Sequence, residues 1–157
     1  MHILLPTDGS DVALEAATRG LALLAAPTKV TLLDVTSDLP LDTGGGIEGP
    51  ILTPEQADEL QKSEERGAQR SMAETEAAIK AVLPTTATID QRTEMGDPAA
   101  MICSVARDLG VDVIVVGSHG KGFLSRVLLG SVSEHVTRHA PCPVLVVRPQ
   151  STESASG

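Results

Sequence analysis

Apolar and polar positions along the chain alternate between strand-like and helix-like segments. Ile3-Leu4-Leu5 opens a short apolar run that stops at Pro6-Thr7-Asp8-Gly9-Ser10. Leu14, Ala17, Leu21 and Leu24 then recur at spacings of three, four and three, the period of a helix with one buried face. Val30-Thr31-Leu32-Leu33-Asp34-Val35 reads as a second strand. The stretch 36 to 52 after it is rich in Asp, Gly, Thr and Pro and predicts a long flexible loop. Thr53-Pro54-Glu55-Gln56 joins a capping Thr, a Pro suited to the first helical position and a Gln that closes a capping box. The helix it starts is expected to run to about Leu83, with Ala68, Met72, Thr75, Ile79 and Val82 on one face and Pro84 as its stop.

Residues 86 to 93 alternate weakly and read as an edge strand. Gly96-Asp97-Pro98 marks another helix start, with Asp97 capping, Ile102, Val105, Ala106 and Leu109 inward, and Gly110 as the C-cap. Val111-Asp112-Val113-Ile114-Val115-Val116 is nearly all apolar and β-branched, the signature of a central parallel strand covered on both faces. A last helix and the strand Val144-Leu145-Val146-Val147 follow, and residues 150–157 form a polar tail expected to be disordered. Strand and helix alternate throughout. The pattern predicts a single α/β domain over 1–149, a three-layer sandwich with a parallel sheet and right-handed crossovers.

Composition narrows the function classes. The 157 residues include one Phe and no Trp or Tyr, so the core is aliphatic and offers no rings for base stacking. The formal net charge of −9 argues against a nucleic-acid backbone or an anionic membrane as partner. No stretch approaches the roughly 20 apolar residues of a membrane helix. The opening residues lack a charged n-region, so no signal peptide is expected. Cys103 and Cys142 are too few for a disulfide framework, and a reducing, cytoplasmic setting is the expectation. Cys103 reads as core packing, and Cys142 has no base or positive cluster in sequence near it.

The chemistry is concentrated after the central strand, in Gly117-Ser118-His119-Gly120-Lys121-Gly122 and onward to Gly130-Ser131-Val132-Ser133. Glycines there let the backbone approach a ligand closely, and successive N–H groups form an anion nest. Ser131-x-x-Glu134 has capping-box spacing, so a helix is expected to begin at Ser131 and to present a second anion site at its N-terminus. Two anion-binding features after one strand suit a polyphosphate. The spacing is neither a P-loop nor Gly-x-Gly-x-x-Gly. His119 and Lys121 are candidates for phosphate contact, against the alternative of solvated loop charges. His135 and His139 have the spacing of a zinc pair but no third ligand nearby, which argues against a metal site.

The actual spacing, Gly117-x2-Gly120-x9-Gly130-Ser131, closely resembles the ATP motif of the nucleotide-binding branch of the universal stress protein family. Pro6-Thr7-Asp8-Gly9-Ser10, Leu33-Asp34-Val35, Met95-Gly96-Asp97-Pro98 and His139 to Val147 are similar to that family's segments, in the right order. The resemblance implies a Rossmann-like, adenine nucleotide alpha hydrolase-like sheet of order 3-2-1-4-5. It implies that Asp8 meets the ribose hydroxyls with Pro6 and Thr7 beside it. Val35 would meet the adenine through its backbone, and Met95 and Gly96 would line the same pocket. Gly117, Ser118, His119, Gly120, Lys121, Gly130, Ser131, Val132 and Ser133 would surround the phosphates of ATP, ADP or AMP. Mg²⁺ would be carried by those phosphates, not by a protein cage. It also implies a homodimer through Val144–Val147, apolar on both faces yet at a sheet edge.

The function implied is a nucleotide-dependent regulatory, stress-response module with at most slow ATP hydrolysis or self-phosphorylation. A rapid phosphoryl-transfer enzyme needs a base, a metal carboxylate and a cationic clamp that this motif lacks. An adenylate-forming or ATP pyrophosphatase relative would carry a Ser-Gly-Gly-x-Asp-Ser type loop where this chain has Thr7-Asp8-Gly9-Ser10. A phosphoacceptor receiver would end strand three on Asp, where Arg92 and Thr93 stand. A ligand-free interaction module would not need the intact glycine motif.

Overall fold

The computed structural model describes residues 1–25, 27–36, 53–119 and 129–149. The loop expected over 36 to 52 lies outside the described residues apart from Thr36, as do Gly120, Lys121 and the tail from 150. The described elements are β1 (His2–Thr7), α1 (Asp11–Leu23), β2 (Lys29–Thr36), α2 (Pro54–Lys80), β3 (Thr88–Met95), α3 (Pro98–Leu109), β4 (Val113–Gly117), α4 (Ser131–His139) and β5 (Val144–Val147). All strand pairs are parallel, in the order β3-β2-β1-β4-β5.

Strand alternation divides the core into two layers. Ile3, Leu5 and Leu32 point to one face and pack with Ala16 and Leu21 of α1 and Met72 and Ile79 of α2. Leu4, Leu33 and Ile114 point to the other and pack with Ile102 and Val105 of α3 and Val136 of α4. Each fully buried Leu, Ile or Val among them stabilises the fold by roughly 1.5–3 kcal/mol before ordering costs are set against it. An aliphatic core suffices because both faces of the sheet are covered.

Helix termini follow from the capping residues. Ser10 accepts from Ala13 N–H at the start of α1, and Asp97 accepts from Ala100 N–H at the start of α3. Thr53 and Gln56 form the full capping box of α2. Gly110 closes α3 in the left-handed conformation, φ 58°. Several boundaries differ from expectation, among them β1, which continues through Pro6 to Thr7, and β4, which runs Val113–Gly117 instead of from Val111 to Val116. Helix α2 ends at Lys80 instead of about Leu83, and Val82 is 45% exposed, off the buried face. Pro84 restricts the residue before it, so the chain turns over Ala81 to Leu83, with Leu83 N–H on Ile79 O at 3.0 Å. A second turn, Ala87 N–H to Pro84 O, delays β3 to Thr88–Met95 from the expected 86 to 93.

Candidate functional site

β1 and β4 are neighbours in the sheet but lead to helices on opposite faces, which opens a crevice at their C-terminal ends. At the end of β1, Gly9 turns the chain with φ 72°. The turn is held from within. Thr7 Oγ1 accepts from Gly9 N–H at 3.1 Å, and Asp8 Oδ1 accepts from Ser10 N–H and Ser10 Oγ at 3.0 and 2.6 Å. Thr7 is buried while Asp8 is exposed at the mouth of the crevice. At the end of β4, a Cβ on Gly117 would lie 3.2 Å from Val12 Cγ1 and 3.3 Å from His119 O, so only glycine sits there without displacing a neighbour.

Two hydrogen bonds join the far side of the crevice to β4. Gly130 N–H donates to Ser118 O at 2.8 Å, and the buried Ser133 hydroxyl donates to Gly117 O at 2.6 Å. They fix the start of α4 beside the strand end. Ser131 is the first residue of α4, as its sequence predicts, but the capping box does not form. Gly130 is the N-cap with no side-chain cap bond, and Glu134 pairs with Arg138 at 2.8 Å. The physical reason is that the Ser118 and Ser133 bonds seat the cap one residue before Ser131. The Ser131, Val132 and Ser133 amides therefore begin the helix with no intrahelical acceptor, at the positive end of its dipole.

The crevice is a cleft of about 540 Å³, within the roughly 300–1,000 Å³ usual for small-molecule sites. Pro6, Thr7, Asp8, Val35, Gly117, His119, Gly130, Ser131, Val132 and Ser133, all singled out in the sequence, line it together. One wall is aliphatic, from Leu33, Val35, Ile102 and Val116, with Pro98 and Ala13 completing the lining. Ala13, Ile102 and Val116 carry no sequence mark of a site. Leu33 lies two residues before Val35 on the same face of β2.

Three of the expected residues are not among those lining the cleft. Met95 is 66% exposed at the end of β3, one strand beyond Val35 and at the sheet edge. Gly96 adopts φ 141° and donates its N–H to Thr36 O at 2.9 Å, making the turn into α3. Ser118 points inward at 1% exposure and pairs with His119 Nδ1 at 2.8 Å. Gly120 and Lys121 lie outside the described residues.

Among the described residues, His119 Nε2 is the buried side-chain polar atom without a hydrogen-bond partner. No group of three His, Cys, Asp or Glu that would hold a metal occurs among them. His135 and His139 stack with centroids 4.2 Å apart, away from the cleft lining, and His139 Nδ1 bonds to His135 O. Both cysteines are free, and burial pushes both thiols up, for Cys142 with the nearby Asp112 carboxylate adding to it. No helix of the described residues is long and apolar enough to cross a membrane.

Comparison with known proteins gives one consistent family. The model of the universal stress protein family matches residues 1–148. A universal stress protein of Methanocaldococcus jannaschii, MJ0531, is 36% identical over an alignment that spans 96% of this chain and 84% of the relative. The solved structure of MJ0577, from the same organism, superposes with a TM-score of 0.74 at 30% identity, covering 96% of this chain and 97% of the other. A universal stress protein solved in complex with cAMP superposes with a TM-score of 0.61 at 25% identity, covering 94% and 96% of the two chains.

Proposed function

The chain belongs to the universal stress protein family, and on that premise we propose that it is an ATP-binding regulatory module of the stress response. The observation that carries the reading is the division of the cleft, aliphatic on one wall and polar on the other. A purine packs against Leu33, Val35 and Ile102. The ribose hydroxyls meet the Asp8 carboxylate, which the Ser10 bonds hold at the mouth. The phosphates lie along Gly117 and the leading amides of α4, where the backbone supplies donors and the helix dipole favours negative charge. Gly120 and Lys121 complete the phosphate segment in the sequence motif. The cAMP complex of a relative of similar fold supports an adenine nucleotide as the ligand class.

Mg²⁺ enters on the phosphates, which supply its oxygen ligands and leave the remaining positions to water. The described lining offers one carboxylate and one imidazole, a set suited to binding and conformational readout. Fast turnover would require a positioned base, a metal carboxylate and a cationic clamp together. Two copies join through β5, at the edge of the sheet, in a reducing cytoplasmic compartment where both thiols stay free.

Denaturing the purified protein and weighing what it releases tests the reading, with calorimetric titration of the emptied protein by ATP and Mg²⁺ alongside. An adenine nucleotide in the released fraction, and saturable ATP binding, are expected. An emptied, folded protein with no affinity for ATP, ADP or AMP at millimolar concentration refutes it.

A further inference from the structure

Ser118 lies where three elements meet. Its N–H donates to Val147 O at the end of β5 at 2.9 Å, and its carbonyl accepts from Gly130 N–H at the cap of α4. Its side chain is sealed from solvent, and its hydroxyl lies 2.8 Å from His119 Nδ1. His119 lines the cleft beside the start of α4, and its Nε2 is buried with no partner among the described residues. A sealed polar atom left unpaired is costly, so its partner is to be sought in what the cleft binds.

We propose that Ser118 is a positioning residue that sets the tautomer of His119, making Nε2–H a donor to a nucleotide phosphate. The inference rests on the reading of the cleft as an adenine-nucleotide site. It follows from where the hydrogens can go. The Ser118 hydroxyl has one proton to place, and among the described residues His119 Nδ1 is the acceptor beside it. Donation to Nδ1 leaves the imidazole proton on Nε2, on a ring that is part of the cleft lining. In the reverse arrangement Nδ1–H donates to Ser118 Oγ. The hydroxyl proton then has no described acceptor, and a bare lone pair on Nε2 faces the phosphate oxygens. With a phosphate oxygen in the cleft the first arrangement satisfies both groups, and the reverse leaves both unsatisfied.

The wiring also separates binding from chemistry. An Nε2 that carries the proton has no lone pair with which to attack phosphorus. His119 therefore holds a phosphate oxygen and does not accept the phosphoryl group.

Two measurements on the full chain test this. Long-range proton–nitrogen correlation spectra of ligand-free protein read the tautomer directly. Wild type should show His119 protonated on Nε2, and Ser118→Ala should shift it toward a mixture. Calorimetric titrations with adenosine, AMP and ATP then read the phosphate contact. His119→Phe should lose roughly ten- to a hundredfold on AMP and ATP while keeping wild-type affinity for adenosine. His119→Gln, whose amide N–H reaches the Nε2 position, should stay within a few-fold of wild type on all three. Ser118→Ala should lose several-fold on AMP and nothing on adenosine. An Nδ1–H tautomer in wild type overturns the proposal, and so does phosphohistidine found at position 119 by peptide mass. If wild type binds the nucleotides and His119→Phe binds them equally, this inference alone fails. If wild type binds none of the three, the reading of the cleft fails and takes this inference with it.

Discussion

Two glycines in two helices should respond to the same substitution with opposite signs. Gly20 lies on the buried face of α1, and a Cβ added there would stand 2.4 Å from Val115 Cγ1 and 3.4 Å from Val147 Cγ2. Non-bonded carbons sit at about 3.5–4.0 Å, so α1 would have to lift by roughly 1 Å. Val115 has no room to yield, being 1% exposed on the interior strand β4. Overpacking of this kind costs about 1–3 kcal/mol, and the better helix propensity of Ala returns at most about 1 kcal/mol. Gly20→Ala should therefore lose up to about 2 kcal/mol, a fall in Tm of up to roughly 8 °C for a chain of this length. Gly67, in α2, has no heavy atom within 4 Å of the same added Cβ. Gly67→Ala should gain up to about 1 kcal/mol, roughly 2–4 °C. Because the chain has no Trp or Tyr, the unfolding is followed by far-UV circular dichroism or scanning calorimetry. A Tm for Gly20→Ala at or above wild type would refute the packing argument. Equal shifts at both sites would show that propensity, not space, decides.

Asp8→Ala should weaken ATP about tenfold or more while leaving inorganic triphosphate nearly unchanged, since a bond to a charged group is worth roughly 1.5–3 kcal/mol; equal weakening of both in calorimetry places Asp8 away from the sugar. Val146→Pro removes a backbone donor from β5 and should turn a dimer into a monomer by light scattering with refractive-index detection, and a monomeric wild type at micromolar concentration sinks the dimer. His2 is held below its ordinary 6.5, first by burial and then by the Lys29 charge. Its unfolded form binds protons that the folded form refuses, so wild-type stability should fall as pH drops through and below 6.5. His2→Gln should flatten that part of the Tm–pH curve, and an unchanged slope removes His2 from the account.

The fold was legible because its punctuation is local. Ser10, Thr53 with Gln56, and Asp97 cap the helices by contacts within three residues, and Gly110 ends one through its own backbone. The strand-end positions of Asp8 and Gly117 follow from the same local reading, and the sheet order brings them together. What escaped depends on partners distant in sequence. Ser118 carries the composition of a ligand residue, but a bond from Gly130 and one to Val147 turn it inward. Ser131 has the spacing of a cap, but Ser133 reaches Gly117 and moves the cap to Gly130. Met95 and Gly96 sit one strand too far out, which depends on β3 being the sheet edge. The aliphatic wall was invisible for another reason. Ile102 and Val116 are core residues by every sequence measure, and only the crevice gives them a second exposure.

Helix α2 has 27 residues, a length of about 40 Å, and its halves differ in what holds them. Met72, Thr75 and Ile79 anchor the second half in the core. From Thr53 to Gly67 every described side chain is exposed, and that half is held by its capping box and pairs such as Lys62–Asp58. Exposed pairs of this spacing contribute only about 0.3–0.5 kcal/mol, and free helices under about 12–15 residues are marginal in water. The two halves therefore open in different regimes. Unwinding the first exposes almost no apolar surface, whereas unwinding the second takes the sheet with it. Amide protection should climb along this one helix from near zero at Glu55 to the global value at Ile79. Gly67 marks the joint, so a protease that cuts the native protein in α2 should cut before it, leaving a nicked molecule whose core still unfolds as one.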